Sequence, residues 1–200
     1  MSTGRNEPVA PSGTPNQEQL MNRLKKTVAT AAAVAAAALI PLTAAPAQAA
    51  TGPATHLGMT WSVVSYGPEG TVQVGGPGGS ASNAYNGDTA PSVSLPVLCL
   101  NVDGSPAPSG ISLGFYNGWA QGTVALSQPV KGSRLNSRAA ADSVCQASFG
   151  AGWREAEFHD GHYGTDLAQT GGWTFWAYGT IPSNTRFWTA INDQPANPWN

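Results

Sequence analysis

The stretch Ile111-Ser-Leu-Gly-Phe-Tyr-Asn-Gly-Trp-Ala-Gln-Gly-Thr-Val-Ala-Leu126 bears most directly on the fold. Asn117-Gly118 is the favoured two-residue loop of a tight β-hairpin, because both central positions must reach positive φ. Folding the chain there sets Phe115 opposite Ala120, Leu113 opposite Gly122 and Ile111 opposite Val124, all on one apolar face. Tyr116 with Trp119 and Ser112 with Thr123 fall on the other face. Turn chemistry and period-2 alternation agree, so this stretch predicts an antiparallel hairpin.

Working outward, residues 92–103 hold Val93, Leu95, Val97, Leu98, Cys99, Leu100 and Val102, and Asp103-Gly104 ends the run. A near-continuous apolar run of this length predicts a central strand buried on both faces. Further back, Trp61–Tyr66 and Thr71–Val74 read as strands, and Asn86-Gly87 as a turn. Gly75-Gly-Pro-Gly-Gly-Ser80 lacks the Lys-Ser/Thr ending of a phosphate loop and reads as a linker. On the other side, Ser137 can cap a helix over Arg138–Ser148 that Gly150 can end, with Ala141, Val144, Cys145 and Ser148 on one face. Trp153–Asp160 alternates, sending Ala156 and Phe158 one way and Trp153, Glu155, Glu157 and His159 the other. Gly161–Gly172 reads as a polar loop, followed by aromatic strands over Trp173–Ile181 and Arg186–Ile191. The expected fold is α+β: a mostly antiparallel β-sheet with one packed helix. It comprises a Gly/Pro-rich β segment over residues 50–91 and a compact part over residues 92–200.

The first fifty residues have a different logic. Arg23, Lys25 and Lys26 follow Met21, Thr27–Ile40 is uncharged and mostly Ala, and Ala47-Gln48-Ala49 offers small residues to a signal peptidase. This order predicts a cleavable signal peptide over 21–49 and hence a secreted protein. The uncharged run is short of the roughly 20 residues a bilayer crossing needs, so no stable membrane span is expected after cleavage. Residues 1–20 read as a disordered leader or a start site set too early.

Composition narrows the function. Residues 50–200 carry five basic and nine acidic side chains, a net charge of −4, together with all seven tryptophans. No basic stripe for nucleic acid is present, and an anionic membrane is no better a partner. Cys99 and Cys145 are the only cysteines, and in an oxidising compartment they most simply pair; two buried free thiols are the alternative.

Ala141 to Cys145, then Phe149-Gly-Ala-Gly-Trp-Arg-Glu-Ala-Glu-Phe158, then Phe187-Trp-Thr-Ala-Ile-Asn-Asp193, together resemble a C-type-lectin-like domain over roughly residues 135–200. In that family a helix carries a disulfide cysteine. Ala156 and Phe158 match the strand that follows it, and Trp188, Ile191 and Asn192-Asp193 match a later one. The resemblance implies the fold. Glu155 stands where the family has an aliphatic residue, and Cys145 would have to pair with Cys99 because the second disulfide is missing. Gln194-Pro195-Ala196-Asn197 and Trp199-Asn200 are similar to the calcium–sugar loop but come too soon after Asp193 and lack its acidic ligands. Calcium-dependent sugar binding is therefore not implied. Gly150–Asn200 also looks like a recurring tail of small exported bacterial proteins.

Two sets of side chains could carry chemistry. Glu157, His159 and His162 lie within a cluster that also holds Glu155, Asp160 and Asp166, and imidazoles beside carboxylates can hold Zn²⁺ or another divalent ion. The competing reading is a solvated strand end and loop. Trp176, Tyr178 and Trp188 could present flat rings to a sugar or a protein partner, unless the sheet buries them. No Gly-x-Ser-x-Gly elbow appears, and no cofactor is expected. The leading expectation is an extracellular or envelope-associated binding module for a cell-surface glycan or extracellular protein. The alternatives are an exported metal-dependent hydrolase and a structural or interaction protein with no small ligand.

Overall fold

The structure, a computed structural model, describes residues 52–76 and 82–200. The leader 1–20, the signal segment 21–49 and Pro77–Ser80 of the Gly-rich run lie outside the described residues. Strands β1 (Thr60–Tyr66) and β2 (Thr71–Gly75) are followed by β3 (Ser94–Leu95), β4 (Leu98–Val102), β5 (Gly118–Leu126) and β6 (Val130–Lys131). Helix α1 (Arg138–Phe149) leads to β7 (Trp153–Glu155), β8 (His162–Tyr163), β9 (Gln169–Thr170), β10 (Thr174–Tyr178) and β11 (Arg186–Trp188). No helix among the described residues is long and apolar enough to cross a membrane.

The main sheet runs β11-β1-β2-β10-β5-β4-β7, with the small β8–β9 pair branching from β5. Its strand pairs are antiparallel except β10 with β5. The sheet curls until its ends meet. Val97, just before β4, bridges Trp188, and Glu157, just after β7, bridges Ala190. The fold is therefore α+β and dominated by sheet, as expected. Strands β1 and β2 lie within this sheet, so the N-terminal segment shares one core with the rest of the unit Ala45–Asn200.

Two cores follow from the curl. Inside it, Trp61, Val72, Val74, Leu98, Leu100, Ala120, Val124, Phe158, Phe175, Phe187 and Ile191 pack together. Outside β4, Val97 and Cys99 pack under α1 with Leu135, Ala141, Cys145 and Trp188. The apolar run 97–100 thus serves both cores in alternation, which is why it lacks polar positions. Ser137 Oγ accepts from Ala140 N at 3.1 Å to start α1, and Gly150 ends it at φ +100°. Ala141 and Cys145 face inward as their spacing predicts, while Ser148 is exposed. Cys99 and Cys145 form a disulfide with Cα atoms 5.4 Å apart, pinning the helix to the sheet.

The predicted hairpin over Ile111–Leu126 is not formed. Only its second half is a strand; β5 pairs with β4 and β10, and residues 111–117 run as loop and turn. Gly118 is needed for a different reason: a Cβ there would sit 2.3 Å from the Gly161 carbonyl carbon. The glycine permits close backbone approach rather than positive φ. Gln121 takes the positive φ instead, at +56°, where the β5–β10 register slips. Its carbonyl accepts from Asp103 N and Gly104 N, as expected of a β-bulge.

Candidate functional site

The turn after β7 holds the densest polar network. Asp160 Oδ2 accepts from Glu157 N at 2.6 Å, and Arg154 grips Asp160 with both terminal nitrogens, at 2.9 and 2.5 Å. Burial disfavours the Arg154 charge, but its bonds and attraction to Asp160 outweigh this and raise its pKa above the usual value. Inside the turn, the Glu157 carboxylate, only 5 % exposed, accepts from His159 N at 2.7 Å and Asn192 N at 3.0 Å. It also meets His159 Nδ1 at 3.1 Å. Glu157 therefore ties the 157–160 turn to the segment after β11. The carboxylate is neither solvated nor open, which replaces the sequence expectation of an exposed strand end.

His159 stands at the edge of a pocket of about 110 Å³, lined by Ala84, Tyr85, Phe158, His159, Trp173, Ile191, Asp193 and Gln194. His159 Nε2 lies 3.8 Å from Asp193 Oδ2. Three distant segments build the walls. Asn83 Oδ1 accepts from Tyr85 N and Asn86 N, both at 3.0 Å, forming the predicted Asn86-Gly87 turn and setting out Tyr85. Gly87 has φ +72°, and a Cβ there would lie 2.1 Å from Leu57 O. Asp88 braces this turn, accepting from Asn83 N at 2.9 Å, Thr60 Oγ1 at 2.5 Å and Arg186 at 2.8 Å. Trp173 comes from the loop before β10 and has φ +72°, outside the range a bulky residue normally adopts. Its ring meets Tyr85 edge-on at 6.2 Å and Phe158 at 5.2 Å. Gly172 makes room: a Cβ there would strike Phe158 at 2.5 Å.

Asn197 shapes the third wall. Buried, it accepts from Ile191 N at 2.9 Å and donates to Ile191 O at 2.7 Å, closing the 191–197 loop on itself. This loop places Asp193 and Gln194 at the pocket. The Asn197 amide is spent on the Ile191 backbone and on Asn200 Oδ1, so it serves the loop and not a ligand.

The predicted binding set does not form one surface. Trp188 is 1 % exposed, and its indole fits against Gly58 and Gly132, where a Cβ would lie 2.8 Å from the ring. Its Nε1 donates to Val130 O at 3.2 Å, so Trp188 belongs to the outer core. Trp176 is half-buried over Gly67, and Tyr178 is half-buried with its hydroxyl on Pro106 O at 3.2 Å and its ring on Trp119. The predicted metal set is also split. Glu157 and His159 meet, but His162 lies in β8, paired with Trp119 and Thr170. Among the described residues no three His, Cys, Asp or Glu side chains are placed to hold a metal ion. The oxygens of Glu157 are engaged by the His159 and Asn192 backbone N–H groups.

Sequence reasoning offered Glu157 and His159 as metal ligands with His162, and did not bring Tyr85, Trp173, Asp193 and Gln194 to one place. A bulky residue held at positive φ leaves no sequence mark, and Tyr85 and Trp173 meet by packing between a turn and a loop far apart in sequence. Comparison with family models, with curated proteins and with solved structures gives no match to this chain.

Proposed function

We propose that this protein is a secreted binding module that recognises a glycan through the pocket walled by Tyr85, Trp173 and Phe158. The observation that carries the reading is the convergence of three aromatic side chains with three polar ones, His159, Asp193 and Gln194, at one concave site. Ligand sites typically pair apolar walls with a few placed polar groups. Tyr85 is 57 % exposed, a poor place for a large ring unless something covers it. Backbone strain concentrates at functional sites, and Trp173 is held at positive φ where it forms the wall. The pocket is small, so it would take a single residue of a chain and leave the rest in solvent.

Export is supported by the leader sequence and by a disulfide of the kind oxidising compartments sustain. A lectin-like arrangement of residues 135–200 is supported by a disulfide-bearing helix followed by the inward-facing Ala156 and Phe158. The test is binding of the purified protein to a panel of bacterial envelope and plant polysaccharides. Retention that falls at least tenfold in both Tyr85→Ala and Trp173→Ala is expected. No retention by the wild type, or retention unchanged in Tyr85→Ala, would refute the reading.

A further inference from the structure

We infer that the pocket recognises a primary ammonium group, so that its glycan ligand is an amino sugar with a free amine; this rests on the glycan reading above. The case begins with His159. Its Nδ1 is 3.1 Å from the buried Glu157 carboxylate, which selects the tautomer with the proton on Nδ1. With the ring neutral, the Nε2 lone pair is an acceptor at the pocket edge. Asp193 supplies a second acceptor 3.8 Å away, too far for the two groups to bond each other well. One donor atom about 2.9 Å from each would bridge them. A hydroxyl has a single hydrogen and can satisfy only one of these acceptors while donating. An ammonium has three and can satisfy both.

Charge points the same way. No lysine or arginine lines the pocket among the described residues, and the nearest guanidinium in this network, Arg154, is gripped by Asp160. The carboxylates of Glu157, Asp160 and Asp193 against the Arg154 guanidinium leave these four side chains two charges negative. The Tyr85 and Trp173 rings complete the environment, since aromatic faces attract cations electrostatically. Carboxylates, a lone-pair nitrogen and aromatic walls together disfavour an anion and leave a neutral hydroxyl only partly satisfied.

The experiment titrates the full protein at pH 7 with three matched oligosaccharides: one with free 2-amino groups, one N-acetylated and one carrying hydroxyls there. Butylamine is a fourth ligand. The free-amine sugar is expected to bind at least tenfold more tightly than the other two sugars, with a preference that shrinks in 0.5 M salt. Asp193→Asn should remove that preference. Asp193 is 60 % exposed, so this variant should fold normally, as circular dichroism would verify. His159→Ala should weaken the amine sugar selectively. Equal binding of amine and hydroxyl sugars would overturn the ammonium inference and leave the glycan reading standing. Butylamine binding as tightly as the amine sugar would support the ammonium site and overturn the glycan reading. Binding of none of the four would overturn both.

Discussion

Glu155 and Glu157 are two residues apart, and both are buried, at 1 % and 5 % exposure, but they live in opposite environments. Glu157 turns toward the pocket network and meets two backbone N–H groups and an imidazole. Glu155 pairs across the sheet with Cys99 and so lies on the side that α1 covers, where its Oε2 has no hydrogen-bond partner. Its backbone is well served. Asp142 accepts from Glu155 N at 2.9 Å, and Arg138 donates to Glu155 O at 2.7 Å. Because β7 ends the sheet path, these helix side chains also cap an otherwise open strand edge. The side chain gains less. Burial pushes the Glu155 pKa up to about 8, only partly opposed by Arg138 and reinforced by Asp142. Burial alone does not set the state of a carboxyl group; the donors that reach it do.

Three experiments would break or sharpen this contrast. The largest effect is expected from removing the disulfide. Cys99→Ala with Cys145→Ala should cost about 4 kcal/mol in denaturant unfolding, since the bridge spans a separation of 46 residues. A loss under about 1 kcal/mol would mean that α1 is held to β4 by packing alone. Next, Glu157→Ala should cost about 3 kcal/mol, because His159 N and Asn192 N would lose their acceptor. Thermal unfolding indistinguishable from wild type would show that water replaces the carboxylate. Last, because it vanishes at low pH, is Glu155→Gln, which mimics the protonated acid. The folded pKa near 8 exceeds the ordinary 4.5, so the native state holds a proton that the unfolded chain releases. Stability is then full below about pH 4.5 and falls as pH rises to about 8, by at most ~1.4 kcal/mol per unit. Glu155→Gln should flatten that slope and leave the protein more stable than wild type at pH 8. A slope unchanged by the substitution would place the charge elsewhere.

Local chemistry was readable where local rules decide the outcome. Ser137 and Gly150 mark the ends of α1 because a cap and a left-handed stop are properties of single residues. Of the doubly buried strand read over residues 92–103, only Val97–Leu100 is buried on both faces; Ser94–Leu95 pairs separately with β6, and Val93 and Val102 are exposed. Asn117-Gly118 misled because glycine has two uses, and here backbone packing against Gly161 took precedence over turn geometry. Trp188 misled similarly: its pocket is made by Gly58 and Gly132, far away in sequence, so no local pattern distinguishes it from an exposed ring. At the site, the i, i+2 spacing of Glu157 and His159 brought them together on one turn. Tyr85, Trp173 and Asp193 converge through long-range packing, which spacing does not encode.

The meeting of the two sheet ends has a consequence for assembly. Strand β1 pairs with β11 through Thr60–Trp188 and Trp61–Phe187, so one flank of an early strand waits for a very late one. A chain emerging N-terminus first has Trp61 in hand long before Phe187 and Ile191 can help to enclose it. Contacts this distant in sequence slow folding, because the entropy of closing the loop is spent before the contact forms. Enclosure of Trp61 by Phe187 and Ile191 therefore waits until the chain has delivered Arg186–Trp188 and the residues after it.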